Sequence, residues 1–433
     1  MASCRRRLMV VVSCSLTAMV LYPPVKVYVK NMQVSPHPWR GKVAAERYNS
    51  QQNLNLSDSS VKTEEPSSSA SRYTATVRLT KMKCTPADDT KGLPWDDNTT
   101  TEDDLYSPYI SNIQFTKVTK VIQSDNLTLY VCNIHLKVDP CSCTRTIEAH
   151  LLHPCPTNTA DPDELLQQIK SSLGESNCGD FATLRGGGQK VVSYSVYGKF
   201  PNDYYQGMEE LLPRLRQVYP DWSVRVYLDI SSTSLQNWVC SLVCEHPHLD
   251  VCNVRQLPML GDVSSSTGRV WRFSVVGDAL VSHYMIRDSD SPVLQREVDA
   301  VDQWLKSHTC YHIMRDNIYH SLPMLAGMWG GCNTWRVGEA IEAMDYALCH
   351  AQADTADQEI LKSHLWPVAR LNATVHDSYT CRRFGKSLPF PSQRVNFTFV
   401  GQRSYRRMHR RERTYIHCPL LCRPKEHHNW LYC

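Results

Sequence analysis

The chain has 433 residues and 42% apolar residues, enough for two domains or for one large domain with a long lead-in. Its net charge is +4, and residues 401–433 alone carry eight Lys or Arg against two Glu, a local balance of +6 that leaves −2 for the rest. Such a balance argues against a nucleic-acid partner, and the basic tail reads as a solvated surface.

At the N-terminus, Arg5, Arg6 and Arg7 precede the apolar segment Leu8–Tyr22. Fifteen residues are short for a membrane span, but counting Val25–Val29, with Lys26 snorkelling, gives a usable length. No small-x-small cleavage site follows cleanly, because Tyr22-Pro23-Pro24 comes next. The segment is therefore expected to be an uncleaved signal anchor, with a cleaved signal peptide as the alternative. The arginines keep the N-terminus cytoplasmic. The expected product is a single-pass type II protein of the Golgi or endoplasmic reticulum membrane, with residues 1–29 forming the tail and anchor.

Residues 30–72 read as a flexible stem. Gln51–Arg72 holds seven serines and few apolar groups, too few to offset chain entropy by burial. Residues 73–188 read as a β-rich region, with strands expected at Ala75–Leu79 and around Leu129–Cys132. Five cysteines, Cys84 to Cys155, accompany them, and Gly186-Gly187-Gly188 marks the boundary. Sixteen cysteines follow the apolar segment, as do five N-x-[ST] sequons at Asn55, Asn98, Asn126, Asn372 and Asn396. Together these suggest an oxidising, glycosylating lumen.

From Val191 onward, strand and helix patterns alternate, so residues 189–400 are expected to form an α/β domain with a mostly parallel sheet. Val191–Tyr197, Val224–Leu228, Asp250–Val254 and Val281–Ile286 read as strands. Val224, Val226 and Leu228 alternate as in a half-buried strand. Tyr205, Met208, Leu212, Leu215 and Tyr219 recur at helical spacing, and Leu235–Cys244 reads as a helix. Ser291 and Pro292 are expected to open a helix whose buried face is Leu294, Val298, Val301 and Leu305.

The expected chemistry centres on Asp288-Ser289-Asp290, which follows the strand Val281–Ile286. Open α/β sheets place ligands beyond such strand ends. Carboxylates two residues apart share one face of a straight strand, and together they suit Mg²⁺ or Mn²⁺ shared with phosphates. A helical run opens at Asp357-Gln358-Glu359, and His376 follows a short strand where an imidazole is placed to complete a metal shell. Other candidates are Arg287 or Arg315 as a positive charge toward an anionic ligand, Asp316 or Asp357 as a carboxylate able to take up a proton, and Tyr194 and Trp329 as rings able to stack on a ligand. Gly327–Gly331 permits close backbone approach to a ligand. For Tyr194 and Trp329 the alternative is a place in the core. Asp278 is read as orienting ribose or as a salt-bridge partner. Cys418, Cys422 and Cys433, near His417, His427 and His428, are expected to be disulfides in preference to a zinc site, within a cysteine-containing tail at residues 401–433.

The order Asp288/Asp290, then Asp357-Gln358, then His376 resembles family-8-type glycosyltransferases of the GT-A fold. The stretches Arg287–Ser291, HIMRDNIYHSLPMLAGMWG (312–330) and HDSYTC (376–381) resemble a set of poorly characterised glycosyltransferase-like proteins. The resemblance spans residues about 190–400. It departs at Glu359, where Asp is common, and it lacks the family's His-x-x-Gly-x-x-Lys-Pro-Trp ending. It implies a Rossmann-like GT-A domain and metal-dependent transfer from a nucleotide-sugar donor to a glycan, protein or lipid acceptor. The metal implied is Mn²⁺ or Mg²⁺, held by Asp288, Asp290 and His376. A non-catalytic lumenal or cell-surface binding protein on the same fold is the alternative, and a metal-dependent hydrolase is a third.

Overall fold

The computed structural model describes four strands and parts of their connections within 112–152, parts of 166–171, and then 174–351, 356–403 and 416–433. The segment Leu8–Tyr22, the stem and the strand expected at Ala75–Leu79 lie outside the described residues. Among the described residues no helix is long and apolar enough to cross a membrane.

An antiparallel four-stranded sheet comes first. The long strand β3 (Leu127–Val138) pairs with β1 (Asn112–Gln114) and β2 (Lys120–Ser124) along one edge and with β4 (Arg145–Leu152) along the other. Disulfides Cys141–Cys240 and Cys143–Cys244 tie the β3–β4 connection to the helix Thr233–Glu245. Beside them, Arg145 donates to the carbonyls of Pro247 and Leu249 at 2.9 and 2.8 Å.

The rest is a mixed α/β unit built on seven strands: β5 (Gln189–Ser195), β6 (Ser223–Leu228), β7 (Leu249–Asn253), β8 (Val281–Arg287), β9 (Tyr311–Arg315), β10 (Met328–Cys332) and β11 (Ala373–Asp377). Their order is β11-β9-β10-β8-β5-β6-β7. All neighbours run parallel except β10, which is antiparallel to β8 and β9. The sheet is consistent with a Rossmann-like fold.

Side chains alternate between the two faces of the sheet, and each face has its own apolar layer. Tyr227, Tyr284, Ile286, Ile313 and Trp329 share one cluster with Ala340, Met344 and Ala347 of the helix Val337–His350 and with Leu361 and Leu365. Val192, Tyr194, Val226 and Met285 pack on the other face against Met208 and Leu212 of the helix Asp203–Val218, Val239 of Thr233–Glu245 and Trp304 of Gln295–Lys306. Asn202 caps the first of these helices, accepting from the Tyr204 amide at 2.8 Å.

Two local expectations are corrected. The strand expected to be half-buried, β6, is buried at all six positions, because it lies between two strands and beneath helices on both faces. The helix expected to open at Ser291 begins at Gln295, and its buried residues are Arg296, Glu297, Ala300, Val301 and Trp304. Of the expected face, Val301 is buried, and Val298 and Leu305 pack partly buried against the same layer. Apolar periodicity misses Arg296 and Glu297, which are charged and buried as ion-pair partners of Asp316 and Arg287.

The α/β unit also reaches outside residues 189–400. Before β5, Cys178 is bonded to Cys252, and Ser176 and Asn177 bond to Asp278. After residue 400, Cys422 is bonded to Cys381, Cys418 to Cys433, and Arg394 N–H donates to the Cys433 carbonyl at 3.1 Å. All three tail cysteines are therefore spent in disulfides, as expected in preference to zinc.

Candidate functional site

The sheet changes winding direction at β5, which has β6 on one side and β8 on the other. Ligands of open α/β sheets bind beyond the carboxyl ends of the strands at such a switch point. Here β5 ends at Ser195, followed by Val196 and Tyr197, and β8 ends at Arg287, followed by Asp288. Because β10 is antiparallel, its amino end, with Gly327 just before it, reaches the same edge.

Arg272 organises this edge. It opens a short helical turn, Arg272–Val275, and its main chain is fastened to β5: its amide donates to Ser195 Oγ at 2.8 Å, and its carbonyl accepts from Ser193 Oγ at 2.7 Å. Its side chain is buried. Nη1 donates to the Arg287 carbonyl at 2.8 Å and to Asp288 Oδ1 in a short charge-assisted bond. Nη2 lies 3.9 Å from Asp357 Oδ2, and Nε is buried without a partner. Asp357 opens the helix Ala356–Ile360. Burial raises its carboxyl above the usual range, Arg272 opposes that rise, and the Asp288 charge adds to it. Gln358 Oε1, on the next residue, is a second buried atom without a partner. One unspent donor thus belongs to the arginine between the two carboxylates, and one unspent acceptor to the residue after Asp357.

Glycines allow the close packing. A Cβ on Gly327 would overlap the Asp288 carboxylate, and a Cβ on Gly207 would overlap the Ser289 carbonyl, so the helix Asp203–Val218 lies directly on the Asp288–Asp290 turn. Asp290 is nearly buried, and Arg403 Nε lies 3.6 Å from its Oδ2. Tyr197, half-buried, stacks on Tyr204 with ring centroids 5.2 Å apart and meets Trp271 edge-on.

The other sequence candidates lie elsewhere. His376 is in β11, three strand spacings from β8, which is on the order of 14 Å. Its side chain is on the opposite face from Asp288, within hydrogen-bond reach of His312 and of Gln303, both at 2.8 Å. Burial, with Arg296 nearby, pushes the imidazole down to about 3. The neighbouring Asp377 shares the face of Asp288 but is committed to Arg315 at 2.7 Å and to the Tyr379 and Thr380 amides. Asp316 is fully buried and accepts from Arg296, Arg394, Ser378 and the Val400 amide. Burial would raise this carboxyl, but Arg296 and Arg394 outweigh it and hold it far below the usual range.

Arg287 turns to the opposite face and pairs with Glu297. Tyr194 is fully buried among Val192, Met208 and Val226, so its ring faces no ligand space. Trp329 is likewise buried, against Tyr284 and Phe273. Asp278 is a salt-bridge partner of Arg225. Of the residues placed in the site from sequence, Asp288 and Asp357 both meet Arg272, and Asp290 lies in the same turn as Asp288. Sequence reasoning missed Arg272 and Tyr197. The available signal for Tyr197 was its position at the end of the first expected strand of the α/β pattern.

Among the described residues no group of three or more His, Cys, Asp or Glu is arranged to hold a metal ion. The carboxylate oxygens of Asp288 and Asp290 are of the kind that binds Mg²⁺ or Mn²⁺. Such ions need only one or two protein carboxylates when phosphates and water supply the remaining ligands.

No family model matches the chain, and no curated protein sequence matches it. Among solved structures, it is similar to a glycosyltransferase involved in the glycosylation of the major capsid of PBCV-1. That similarity has a TM-score of 0.25 and 12% identity, and it covers 44% of this chain and 82% of that one.

Proposed function

We propose that this chain is a glycosyltransferase that transfers a sugar from a nucleotide-sugar donor to a glycan, protein or lipid acceptor, with a Mg²⁺ or Mn²⁺ ion at Asp288 and Asp290. The observation that carries the reading is Arg272 between Asp288 and Asp357 at the switch point, with its own Nε unpaired and an unpaired Gln358 Oε1 on the residue after Asp357. A ligand bearing both phosphate oxygens and hydroxyls supplies the acceptor and the donor that these two atoms lack.

In this reading Arg272 holds the Asp288 carboxylate at the strand end and presents Nε–H to a diphosphate oxygen. Gly327 leaves room for that carboxylate. An ion held by Asp288 and Asp290 would supply Lewis-acid neutralisation of charge on the leaving diphosphate. Gln358 and Asp357 face the sugar hydroxyls. Where the route inverts the anomeric centre, Asp357 is the base that takes the acceptor proton. Its Oδ2 is beyond hydrogen-bond length from Arg272, and its raised pKa suits proton transfer. Asp316, closed in by two arginines, has no such freedom. The disulfides favour an oxidising lumen, and with the N-terminal apolar segment they suit a type II protein of the Golgi or endoplasmic reticulum membrane.

The test measures which nucleotide sugars raise the melting temperature, with and without Mn²⁺, followed by turnover on acceptor mixtures. Asp288→Asn is expected to keep the fold and lose metal-dependent nucleotide binding, with a rate loss of ~10²-fold or more. Nucleotide-sugar binding without turnover on any acceptor would favour a binding protein on the same fold. No nucleotide binding at all would sink both readings.

A further inference from the structure

Two of the sequons lie among the described residues, and the fold treats them in opposite ways. Asn372-Ala373-Thr374 leads into β11. The Asn372 carbonyl accepts from the Tyr311 amide at 2.9 Å, and Thr374 is buried, with its hydroxyl 2.7 Å from Ser307 Oγ and 2.8 Å from Thr309 Oγ1. Asn396-Phe397-Thr398 forms a surface turn. The Thr398 amide donates to the Val395 carbonyl at 3.0 Å, and the Thr398 hydroxyl donates to the same carbonyl at 2.6 Å. Asn396 is exposed and sits in the left-handed region at φ 51°, as does Phe397 at φ 59°. Asparagine tolerates that conformation better than most residues.

The turn is also rigid at both ends. On one side Arg394 bonds to Asp316 and to the Cys433 carbonyl; on the other the Val400 amide donates to Asp316 Oδ2. The Phe397 ring meets Tyr432 edge-on at 4.9 Å. Beside Asn396, Val395 stands 67% exposed, an apolar surface left uncovered by the protein. A glycan on the exposed Asn396 would adjoin this surface.

We propose that Asn396 carries an N-linked oligosaccharide and that Asn372 does not. The inference rests on the lumenal placement. The co-substrate is a lipid-diphosphate-linked oligosaccharide. The bond from its anomeric carbon to the diphosphate breaks, and a bond from that carbon to Asn396 Nδ2 forms. The amide loses one proton to a base of the transferring enzyme, and the lipid diphosphate departs. Asn372 presents the same tripeptide, but folding of β11 onto β9 withdraws its threonine.

The full chain, expressed in an animal secretory host, is treated with peptide N-glycosidase in heavy-oxygen water. This converts each occupied Asn to labelled Asp for peptide mass mapping. The label is expected at Asn396 and absent from Asn372. Thr398→Ala removes the Asn396 label, Thr398→Ser retains it, and both variants melt as wild type after deglycosylation. An unlabelled Asn396 alongside labelled Asn55, Asn98 or Asn126 overturns the inference and leaves the lumenal placement standing, and a label at Asn372 overturns its second half. No label at any sequon, together with free thiols, overturns the placement and the inference with it.

Discussion

Gly327 and Asp288 occupy one space: the carboxylate of Asp288 lies where a side chain at position 327 would begin. The antiparallel strand β10 brings this glycine to the end of β8, so a backbone position 39 residues downstream shapes the site. Gly327→Ala is expected to cost about 1–3 kcal/mol through overpacking and to displace Asp288 from Arg272. Thermal melting and nucleotide-sugar titration of the same variant check both effects. Wild-type ligand binding in a folded Gly327→Ala protein would show that the Asp288 position is not needed.

Asp316 and Asp288 should respond in opposite ways to loss of charge. Asp316→Asn leaves Arg296 and Arg394 buried with no neutralising carboxylate, and it is expected to destabilise the fold by about 3–5 kcal/mol. Asp288 is 40% exposed and its partner Arg272 retains Asp357 at 3.9 Å, so Asp288→Asn is expected to destabilise the fold less than Asp316→Asn while abolishing ligand response. Denaturant unfolding of the two variants side by side distinguishes the structural carboxylate from the ligand-facing one.

The buried pair His312–His376 makes stability pH-dependent. Burial lowers both imidazoles, His376 to about 3, so the folded protein keeps them neutral while the unfolded chain takes up protons near 6.5. Their stabilising contribution is present above about pH 6.5 and is lost as pH falls from there toward 3. Melting temperatures from pH 7.5 to 4.5 should therefore decline, and His376→Asn should decline less steeply. Parallel profiles for the two proteins would assign the acid sensitivity to other groups.

The C-terminal segment is held by Cys381–Cys422 and Cys418–Cys433. Removing a native disulfide typically costs about 2–5 kcal/mol. Cys422→Ser is expected to lower stability by an amount in this range and to expose the segment to limited proteolysis. Peptide mapping without reduction should recover both cross-linked pairs from the wild type. Stoichiometric zinc with free Cys418 and Cys433 would contradict the pairing.

The alternation of strand and helix, the residues of β5 to β8 and the acidic turn after β8 were all legible in the amino-acid sequence. These are local properties: apolar period reports which side of an element is buried, and a strand end is marked where the apolar run stops. The meeting of Arg272 with Asp288 and Asp357 was not local. It depends on strand order, on the anchoring of a short helical turn to β5, and on a glycine from β10. His376 shows the same limit from the other side. Its place in the order of motifs suggested a ligand, yet strand alternation turns it to the face opposite Asp288, three strands away, where it bonds His312 and Gln303. Asp316 reads as a chemical residue, and nothing local marks Arg296 or Glu297 as buried, because charge normally stays in water. Only the tertiary structure supplies the partners that make their burial tolerable, and so only it separates the charges that hold the fold from those left facing a ligand.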